Sequence, residues 1–410
     1  MELTSAPLTG IALSLIHTGR APTRSVLTSQ LGVTRATIGA IAGELRDLGL
    51  IVVDTGPPRA SEMSAAERAG QQGRPSHRLL PDPAGPVALA AQVHPDGFGV
   101  ALVGLGGTVV ARHAENGQVS GDPRAAFAPV AEAGAALLRG SGRRCVGAAV
   151  AVPTAVTYPE GTAVRALYVG WPDGAPVRDI FAAALDRHGV SDPRGRPVGV
   201  EAVNDVNARA LAEHRHGAGR DTTHLLVVSA EQRGVGGALV RGGELYTGSN
   251  GLAMEAGHVS VDPEGRPCRC GNRGCLSVEA DVERFLGEAS RSPSPGTTAL
   301  DEATALLRAG YPADSRVRAA ADVVAVGLGL GLAGLINVVN PDRVLLGGMY
   351  GELLTAAPDR LREAVARRSP WGHGAAVPIE RCVLDDAGLI GAAEVAWQPV
   401  LDNPALLRAS

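Results

Sequence analysis

The sequence predicts an α/β protein with an N-terminal winged helix-turn-helix. Within the first eighty residues, apolar side chains recur at helical spacing between residues that cap helices. From residue 87 the pattern changes to short apolar runs, at 87–93 and 98–105, which are typical of buried strands. A chain of 410 residues is also too long for one ordinary core, so two or three domains are expected.

Charge and composition set broad limits on function. All 38 basic residues are Arg and the net charge is −4, which gives no global indication of nucleic-acid binding. Residues 1–80 hold eight Arg against six acidic residues, so this segment carries +2 and the rest carries −6. No apolar run approaches a membrane span, and residues 1–10 lack the pattern of a signal peptide. We therefore expect a cytoplasmic protein without a membrane partner.

The helix-turn-helix prediction comes from residues 8–48. Apolar positions from 8 to 18 indicate a first helix, and two further helices are expected to follow the capping residues Thr23 and Thr34, with a turn at Gly32 between them. The last helix begins with polar and basic residues, as expected of one that enters a major groove. The predicted DNA-binding residues here are Thr23, Arg24, Thr34, Arg35 and Thr37. The alternative is a small helical cap with no DNA partner.

Residues 49–53 and 77–80 are predicted to be the two strands of a wing. The segment between them, 54–76, is rich in Pro, Gly, Ser and charge and ends in GRP at 73–75. Residues 81–86 read PDPAGP, a turn-prone boundary, so the first domain is expected to span residues 1–82.

A cysteine cluster predicts a metal site. Cys268, Cys270 and Cys275 fall within eight residues, and His258 lies ten positions before the first of them. One His and three Cys form a common tetrahedral set for structural zinc, with no position left for water. The alternatives are an internal disulfide and a chance cluster, but a chain without a secretion signal favours metal. Cys145 and Cys382 flank apolar segments and are predicted to be core residues.

Glu255 and His258 form an ExGH run that leads into CxCGxxGC. Together these motifs resemble the ROK family of repressors, open reading frames and sugar kinases, and the resemblance covers nearly the whole chain. It implies two ribonuclease-H-like lobes of the actin and hexokinase type, at residues 83–205 and 206–410, with the last helix a candidate to pack back on the first lobe. It also implies a zinc-ordered loop that positions Glu255 and His258 against a sugar, and a wing in which Arg74 reaches DNA.

The phosphate-binding motifs of such a kinase are altered here. The first, DxGGT, aligns with QVHPD at 92–96, so Gln92 replaces the Asp, His94 and Pro95 replace both glycines, and Pro lacks an amide donor. The LGGT at 105–108 lies between two apolar strand runs and is predicted to be a hairpin turn. The second motif, GTGVGGG, reads QRGVGGA at 232–238, where Arg233 is able to attract an anion. The sequence therefore predicts no kinase activity.

The sugar-binding motifs are better preserved. Residues 204–207 read NDVN and resemble the family NDxN, whose Asp takes a proton from the sugar in kinases and is also a good acceptor for sugar hydroxyls. An Asn expected before Trp171 is missing, and Ser277, with Glu279 close by, stands where a Glu is expected. The ligand is therefore expected to differ from glucose and its common amino-sugar relatives. The predicted ligand-binding residues are Asn204, Asp205, Glu255 and His258.

These observations predict a transcriptional regulator, in the first instance a repressor, that responds to a sugar or sugar phosphate and binds double-stranded operator DNA as a homodimer or homotetramer. Closure of the lobes on the ligand would change the spacing of paired DNA-binding domains, which must match the spacing of half-sites. One alternative is an active ATP-dependent sugar kinase with an accessory N-terminal domain. Another is a DNA-binding regulator that has lost its response to ligand.

Overall fold

We describe the fold from a computed structural model in which residues 7–56, 76–311, 313–370 and 376–408 are described. The chain begins with three helices and an antiparallel pair of strands, which we call the N-terminal unit (residues 7–56 and 76–82). Most of the predicted wing, with Arg74, lies outside the described residues. The elements of the unit are α1 (Leu8–His17), α2 (Arg24–Leu31), α3 (Arg35–Asp47), β1 (Ile51–Asp54) and β2 (Arg78–Pro81).

The helix starts follow from the capping residues in the sequence. The Thr23 hydroxyl accepts a hydrogen bond from the Val26 N–H, and the Thr34 hydroxyl accepts one from the Thr37 N–H. Each cap satisfies a backbone donor that has no partner inside its helix. Gly32 ends α2 in the left-handed region, at φ 64°, where glycine is favoured. The predicted helix starts are therefore confirmed.

The first lobe contains a five-stranded mixed sheet in the order β5-β4-β3-β6-β9. The strands β3, β4 and β5 are antiparallel neighbours, whereas β6 and β9 continue the sheet in parallel. The elements of this lobe are β3 (Val87–His94), β4 (Gly97–Gly104), β5 (Val109–Asn116), α4 (Pro123–Ser141), β6 (Cys145–Val152), β7 (Ala155–Val156), β8 (Ala163–Val164), α5 (Val177–Arg187) and β9 (Val200–Asn204). Helix α6 (Asp205–His216) then leads into the second lobe.

The second lobe repeats this topology in its sheet, ordered β12-β11-β10-β13-β14. Its central strand β10 is antiparallel to β11 and parallel to β13. The elements are β10 (His224–Ala230), β11 (Val235–Arg241), β12 (Glu244–Leu245), α7 (Leu276–Glu279), α8 (Val282–Glu288), α9 (Ala299–Gly310), α10 (Ser315–Val339), β13 (Arg343–Gly348), α11 (Met349–Ala356), α12 (Pro358–Ala366), β14 (Ile379–Arg381) and α13 (Ala387–Asp402).

Helix α13 returns from the second lobe to the first. Its buried residues share one hydrophobic core with β3, β4 and β6 and with the N-terminal unit. Trp397 is fully buried there, and its indole N–H donates to the Val103 carbonyl at 3.0 Å. The core of the N-terminal unit is thus continuous with that of the first lobe.

The expectation that no apolar run approaches the length of a membrane span is wrong for helix α10. By length and composition it is apolar enough to cross a membrane, although no apolar run was expected to approach a span. Much of it is buried in the second lobe, against α8, α12 and the sheet, and one such helix is weak evidence for a membrane. The apolar surface of α10 is accounted for by packing within this lobe.

The LGGT segment forms the predicted turn. It connects β4 to the antiparallel β5, and Gly106 and Gly107 both adopt positive φ, 82° and 72°. The hairpin prediction is therefore confirmed.

Candidate ligand site, metal centre and nucleic-acid surface

A cavity of about 310 Å³ lies between the two lobes and contains the predicted ligand residues. The first lobe and the start of α6 contribute Thr154, Tyr168, Asn204 and Asp205, among others, and the second lobe contributes the glycine-rich start of β11 and a loop that carries Glu255 and His258. All four predicted ligand residues therefore line one cavity. Its volume is in the range of a small polar ligand site.

Asn204 and Asp205 are held at the cavity by the start of α6. The Asn204 side-chain oxygen accepts hydrogen bonds from the backbone N–H groups of Val206 and Asn207, at 3.0 and 3.1 Å. Its amide nitrogen donates to the Thr154 carbonyl at 3.2 Å. Asn204 is thus a helix cap that fixes the position of its neighbour Asp205.

Asp205 is a carboxyl group with unusual acid–base properties. Burial, together with the nearby carboxylate of Glu231, raises its pKa from 3.8 to about 7, although the Val206 N–H and Arg209 act in the opposite direction. The Val206 N–H donates to Asp205 Oδ1 at 2.8 Å. At neutral pH the group therefore exchanges between an acceptor and a donor form.

Glu255 and His258 occupy the second-lobe side of the cavity. Burial raises the pKa of Glu255. Burial also lowers the pKa of His258, and the positive charge of Arg165 lowers it further. The imidazole is therefore neutral at pH 7, the form in which it is able to ligate a metal.

The four predicted metal ligands converge. One ligand atom from each of His258, Cys268, Cys270 and Cys275 lies within 4.8 Å of the others. Cys268 Sγ lies 3.8 Å from His258 Nδ1, and Cys270 Sγ lies 3.7 Å from Cys275 Sγ. A tetrahedral ion with Zn–S bonds of about 2.3 Å has sulfur–sulfur edges of about 3.8 Å. The cysteines are free, and the donor set fits a zinc ion; the disulfide alternative is not what this structure contains.

Among the cavity residues that the sequence did not predict, three are charged or aromatic. Glu231 follows β10 and forms an ion pair with Arg209 at 3.0 Å. Tyr168 lies under the guanidinium of Arg269, 5.6 Å from the ring centroid, so the cysteine loop of the second lobe contacts the first lobe. Arg165 has a left-handed backbone, φ 47°, and its N–H donates to the Asp173 carboxylate. Of the three, only Glu231 was detectable in the sequence, as a charged residue at the end of an apolar strand.

The two departures from the sugar motif have structural explanations. Ser277 is buried behind the cavity residue Val235, whose N–H donates to the Ser277 hydroxyl and whose carbonyl accepts from it. Glu279 does not replace the missing carboxylate, because its Oε1 accepts the Arg266 N–H at 2.6 Å and so holds the cysteine loop. Leu167 lines the cavity where the family Asn is expected, which makes this part of the cavity apolar.

The first phosphate motif forms a tight hairpin. Strand β3 ends at His94, pairs with Gly97, and leaves only Pro95 and Asp96 in the turn. The carbonyls of these two turn residues accept hydrogen bonds from residues 119 and 117. Gln92 packs against the first turn of α13, since a Cβ on Gly388 would lie 2.3 Å from its Oε1. Because Pro95 has no backbone N–H, Asp96 is the one turn residue with an N–H donor, and the turn cannot present a row of such donors to a phosphate.

The predicted DNA-binding residues differ in exposure. Thr34 and Arg35 are exposed and Thr37 is half-buried, all at the start of α3. Arg24 is half-buried at the start of α2. Thr23 has no exposed surface, so its predicted contact with DNA is wrong; its hydroxyl caps α2 instead. Sequence alone did not distinguish these two roles, because Thr serves both.

Comparison with known families decides the relationship. A family model described as the ROK family matches residues 129–398, well over half of the chain. The chain belongs to the ROK family. Among the relatives, a glucokinase of Thermotoga maritima is 34% identical over 206 residues, covering 47% of this chain and 64% of the relative. The DNA-binding transcriptional dual regulator NagC of Escherichia coli is 28% identical over 209 residues, covering 49% and 50%. The chain thus matches 50–64% of the length of these two relatives, less than two thirds of each.

A solved ROK structure resembles the chain over nearly its full length. It is described as a ROK family transcriptional regulator and homolog of the E. coli MLC protein, with a TM-score of 0.70, 22% identity and coverage of 97% of both chains. At this identity the likeness establishes the fold, the two-lobed α/β architecture.

Proposed function

We propose that this ROK protein is a transcriptional regulator, in the first instance a repressor, in which a sugar or sugar phosphate in the cavity controls binding of the N-terminal unit to operator DNA. The observation that carries the proposal is that a ligand cavity and a helical unit suited to DNA occur together in one chain. A cavity with Asp205, Glu255 and His258 is joined to a three-helix unit that exposes a polar and basic helix start. NagC, a relative over half the chain, is a DNA-binding regulator by name.

We assign the N-terminal unit as a winged helix-turn-helix. Helix α3 would enter the major groove with Thr34, Arg35 and Thr37 at its leading edge, and Arg74 would contact DNA from the wing. Arg24 at the start of α2 would contact a phosphate, as expected of the first helix of such a pair. The regulator would act as a homodimer or homotetramer on paired half-sites.

We also propose that His258, Cys268, Cys270 and Cys275 hold a structural zinc ion. Burial and the neighbouring thiols raise the pKa of Cys275 to about 12, so a thiolate at this position requires a cation. With four protein ligands the ion would supply structural order to the loop. The loop would in turn fix His258 and Glu255 at the cavity.

A gel-shift titration with DNA from upstream of the protein's own coding sequence tests the function. Glucose and N-acetylglucosamine serve as comparison compounds, and the panel consists of other pentoses and hexoses and their phosphates. We expect one compound of the panel to change the apparent DNA affinity about tenfold, a coupling of about 1.4 kcal/mol. Binding of DNA that no sugar changes would favour a regulator without ligand response. Failure of the wild type to bind DNA at moderate salt would contradict the proposal.

Arg35→Ala is expected to weaken binding to this DNA by about tenfold or more, because a base or phosphate contact contributes about 1–3 kcal/mol. The change removes an exposed side chain, so the melting temperature is expected to stay within about 2 °C of the wild type. The matched control is Arg46→Ala in the last turn of the same helix, where Arg46 pairs with its neighbour Asp47. Equal losses for the two variants would contradict the placement of the helix start in the groove.

The second candidate function is a sugar kinase, favoured by the match to a glucokinase and by the raised pKa of Asp205. We expect no turnover, because in the β3–β4 hairpin Gln92 stands where such kinases have the acidic residue for magnesium, and His94 and Pro95 replace the glycines whose backbone N–H groups approach phosphate. A coupled assay with ATP, Mg²⁺ and the neutral sugars of the panel checks this. Phosphorylation of any of these sugars at the rate of an ordinary kinase would overturn the regulator assignment.

A further inference from the structure

A buried polar cluster joins the N-terminal unit to both α6 and α13. Glu394 of α13 lies at its centre and is fully buried. Its Oε2 lies 2.7 Å from His17 Nε2 of α1 and 2.7 Å from an Arg215 guanidinium nitrogen of α6. Its Oε1 lies 2.8 Å from His216 Nε2, also of α6. One carboxylate thus binds side chains from two other helices, one of them in the N-terminal unit.

The direction of these hydrogen bonds is set by the LGGT turn. The Gly106 N–H donates to His17 Nδ1 at 2.9 Å, so Nδ1 is an acceptor and the proton of the neutral ring lies on Nε2, which donates to Glu394. Burial lowers the pKa of His17, which keeps it neutral at pH 7. Arg215 supplies the positive charge that balances Glu394.

Two histidines and a carboxylate within reach of one another also suggest a metal site. The contacts argue against it. Arg215 donates to the same oxygen that faces His17, and a guanidinium would lie beside any bound cation. Each polar atom at the centre of the cluster already has a partner without an ion. The cluster is satisfied as an ion pair supported by two histidines.

Helix α6 connects this cluster to the cavity. It begins with Asp205, and its end carries Arg215 and His216, about 17 Å away at 1.5 Å per residue. It is pressed against α13, because a Cβ on Gly391 would lie 1.7 Å from the Ala208 carbonyl. Because the two backbones meet here with no room for a side chain, a shift of one helix towards the other would have to move that helix as well. A displacement at Asp205 is therefore carried to Glu394.

The ring of His17 also packs edge-on against that of His216 of α6, with centroids 5.0 Å apart; both histidines bind Glu394, so this contact belongs to the cluster. The N-terminal unit has other contacts with the body that lie outside the cluster. Arg144 donates to the Leu48 carbonyl at the end of α3, and Arg220 donates to the Thr18 carbonyl. Arg408 pairs with Glu44 of α3 at 2.6 Å, on the surface. This last pair holds the same unit without passing through Glu394, and it provides a matched control.

We propose that Glu394 is a positioning residue that couples the cavity to the N-terminal unit through α6, so that lobe movement at Asp205 reorients the DNA-binding helices. The inference rests on the proposed function. It assigns one buried carboxylate, held by His17, Arg215 and His216, as the connection between the two sites.

Because coupling between two sites is reciprocal, DNA alone serves as the probe. Hydrogen exchange of residues 204–216 is measured in the full-length protein with and without the upstream DNA that it binds. We expect DNA to change the exchange of this segment about fivefold or more in the wild type. In Glu394→Gln, which keeps the shape but removes the charge, this change is expected to disappear although DNA is still bound. Arg408→Ala is expected to keep it.

Folding of each variant is checked by thermal melting, and His216→Gln replaces Glu394→Gln if that variant does not fold. A folded Glu394→Gln or His216→Gln protein that keeps the full response to DNA overturns the proposal. So does an equal loss in Arg408→Ala, since docking of the unit in general would then be responsible. A wild type that binds DNA without any change in residues 204–216 overturns the coupling alone, whereas a wild type that binds no DNA overturns the proposed function as well.

Discussion

Replacing Cys275 by Ser is expected to abolish zinc binding and to lower the free energy of unfolding by on the order of 4 kcal/mol. Cys275 is fully buried directly before α7, and its sulfur lies 3.7 Å from that of Cys270. The loop from residue 259 to 275 has no helix or strand; hydrogen bonds between its two arms, such as that from the Val261 N–H to the Gly274 carbonyl, hold its base, and the proposed ion would hold its four ligand residues together. Without the ion, the remaining thiols would be buried near one another with no cation.

Metal content by mass spectrometry and thermal melting measure the two effects. The matched control is Cys145→Ser, which changes an equally buried cysteine of the first lobe and is expected to leave the zinc content at one ion per chain. The Cys275→Ser variant should also lose its ligand response, because His258 and Cys270 line the cavity and Arg269 contacts Tyr168. A Cys275→Ser protein with full zinc content would show that the cluster does not hold the metal.

The sequence predicted the local features of this protein well. Helix caps at Thr23 and Thr34, the strands at β3 and β4 and the turn at LGGT depend on neighbouring residues, and all were correctly placed. The predicted ligand residues line one cavity and the predicted metal ligands converge, because the motifs keep chemistry-bearing side chains at fixed spacing around tight backbone turns. Residues 204–205, 255–258 and 268–275 converge because α6 starts at the cavity and the cysteine loop closes over it.

What sequence could not predict were contacts between distant segments. His17 and Glu394 are separated by 377 positions, and neither lies in a motif. The LGGT turn was correctly identified as a hairpin, but its N–H donation to His17 depends on where α1 docks. Glu231 was missed for the same reason, because its role follows from Arg209 and Asp205 on another element. Burial of Thr23 likewise depends on tertiary packing, since a capping residue is equally compatible with either environment.

Asp205→Asn is expected to stabilise the fold while it weakens ligand binding. The raised pKa, about 7, means that ionised Asp205 is disfavoured in the folded protein. A shift of this size corresponds to on the order of 4 kcal/mol at pH 8, at about 1.4 kcal/mol per pKa unit. Asn keeps the side-chain oxygen that accepts the Val206 N–H. We therefore expect the melting temperature at pH 8 to rise by about 5 °C or more.

The stabilisation by Asp205→Asn should depend on pH, because only the ionised carboxylate destabilises the fold. The folded protein binds the Asp205 proton more tightly than the unfolded chain, so the carboxylate destabilises the fold increasingly as pH rises from about 4 to 7, and fully above 7. The difference in melting temperature between Asp205→Asn and the wild type should accordingly shrink towards pH 5. A difference that grows as pH falls would contradict the assignment of the raised pKa to Asp205.

The same substitution should weaken sugar binding by about 10- to 100-fold, because a hydrogen bond to a charged acceptor contributes about 1.5–3 kcal/mol. Calorimetry at pH 8 with the sugar identified by gel shift measures it. Glu201→Gln is the matched control, since burial also raises the pKa of Glu201 but its side chain does not line the cavity. That variant should leave the affinity for the sugar unchanged.

If both variants bind the sugar as tightly as the wild type, Asp205 is a buried carboxylate with no part in recognition, and the ligand contacts must lie with Glu255 and His258. Gain of stability with loss of binding would instead identify Asp205 as a group kept at the cavity for its function, at the expense of the fold.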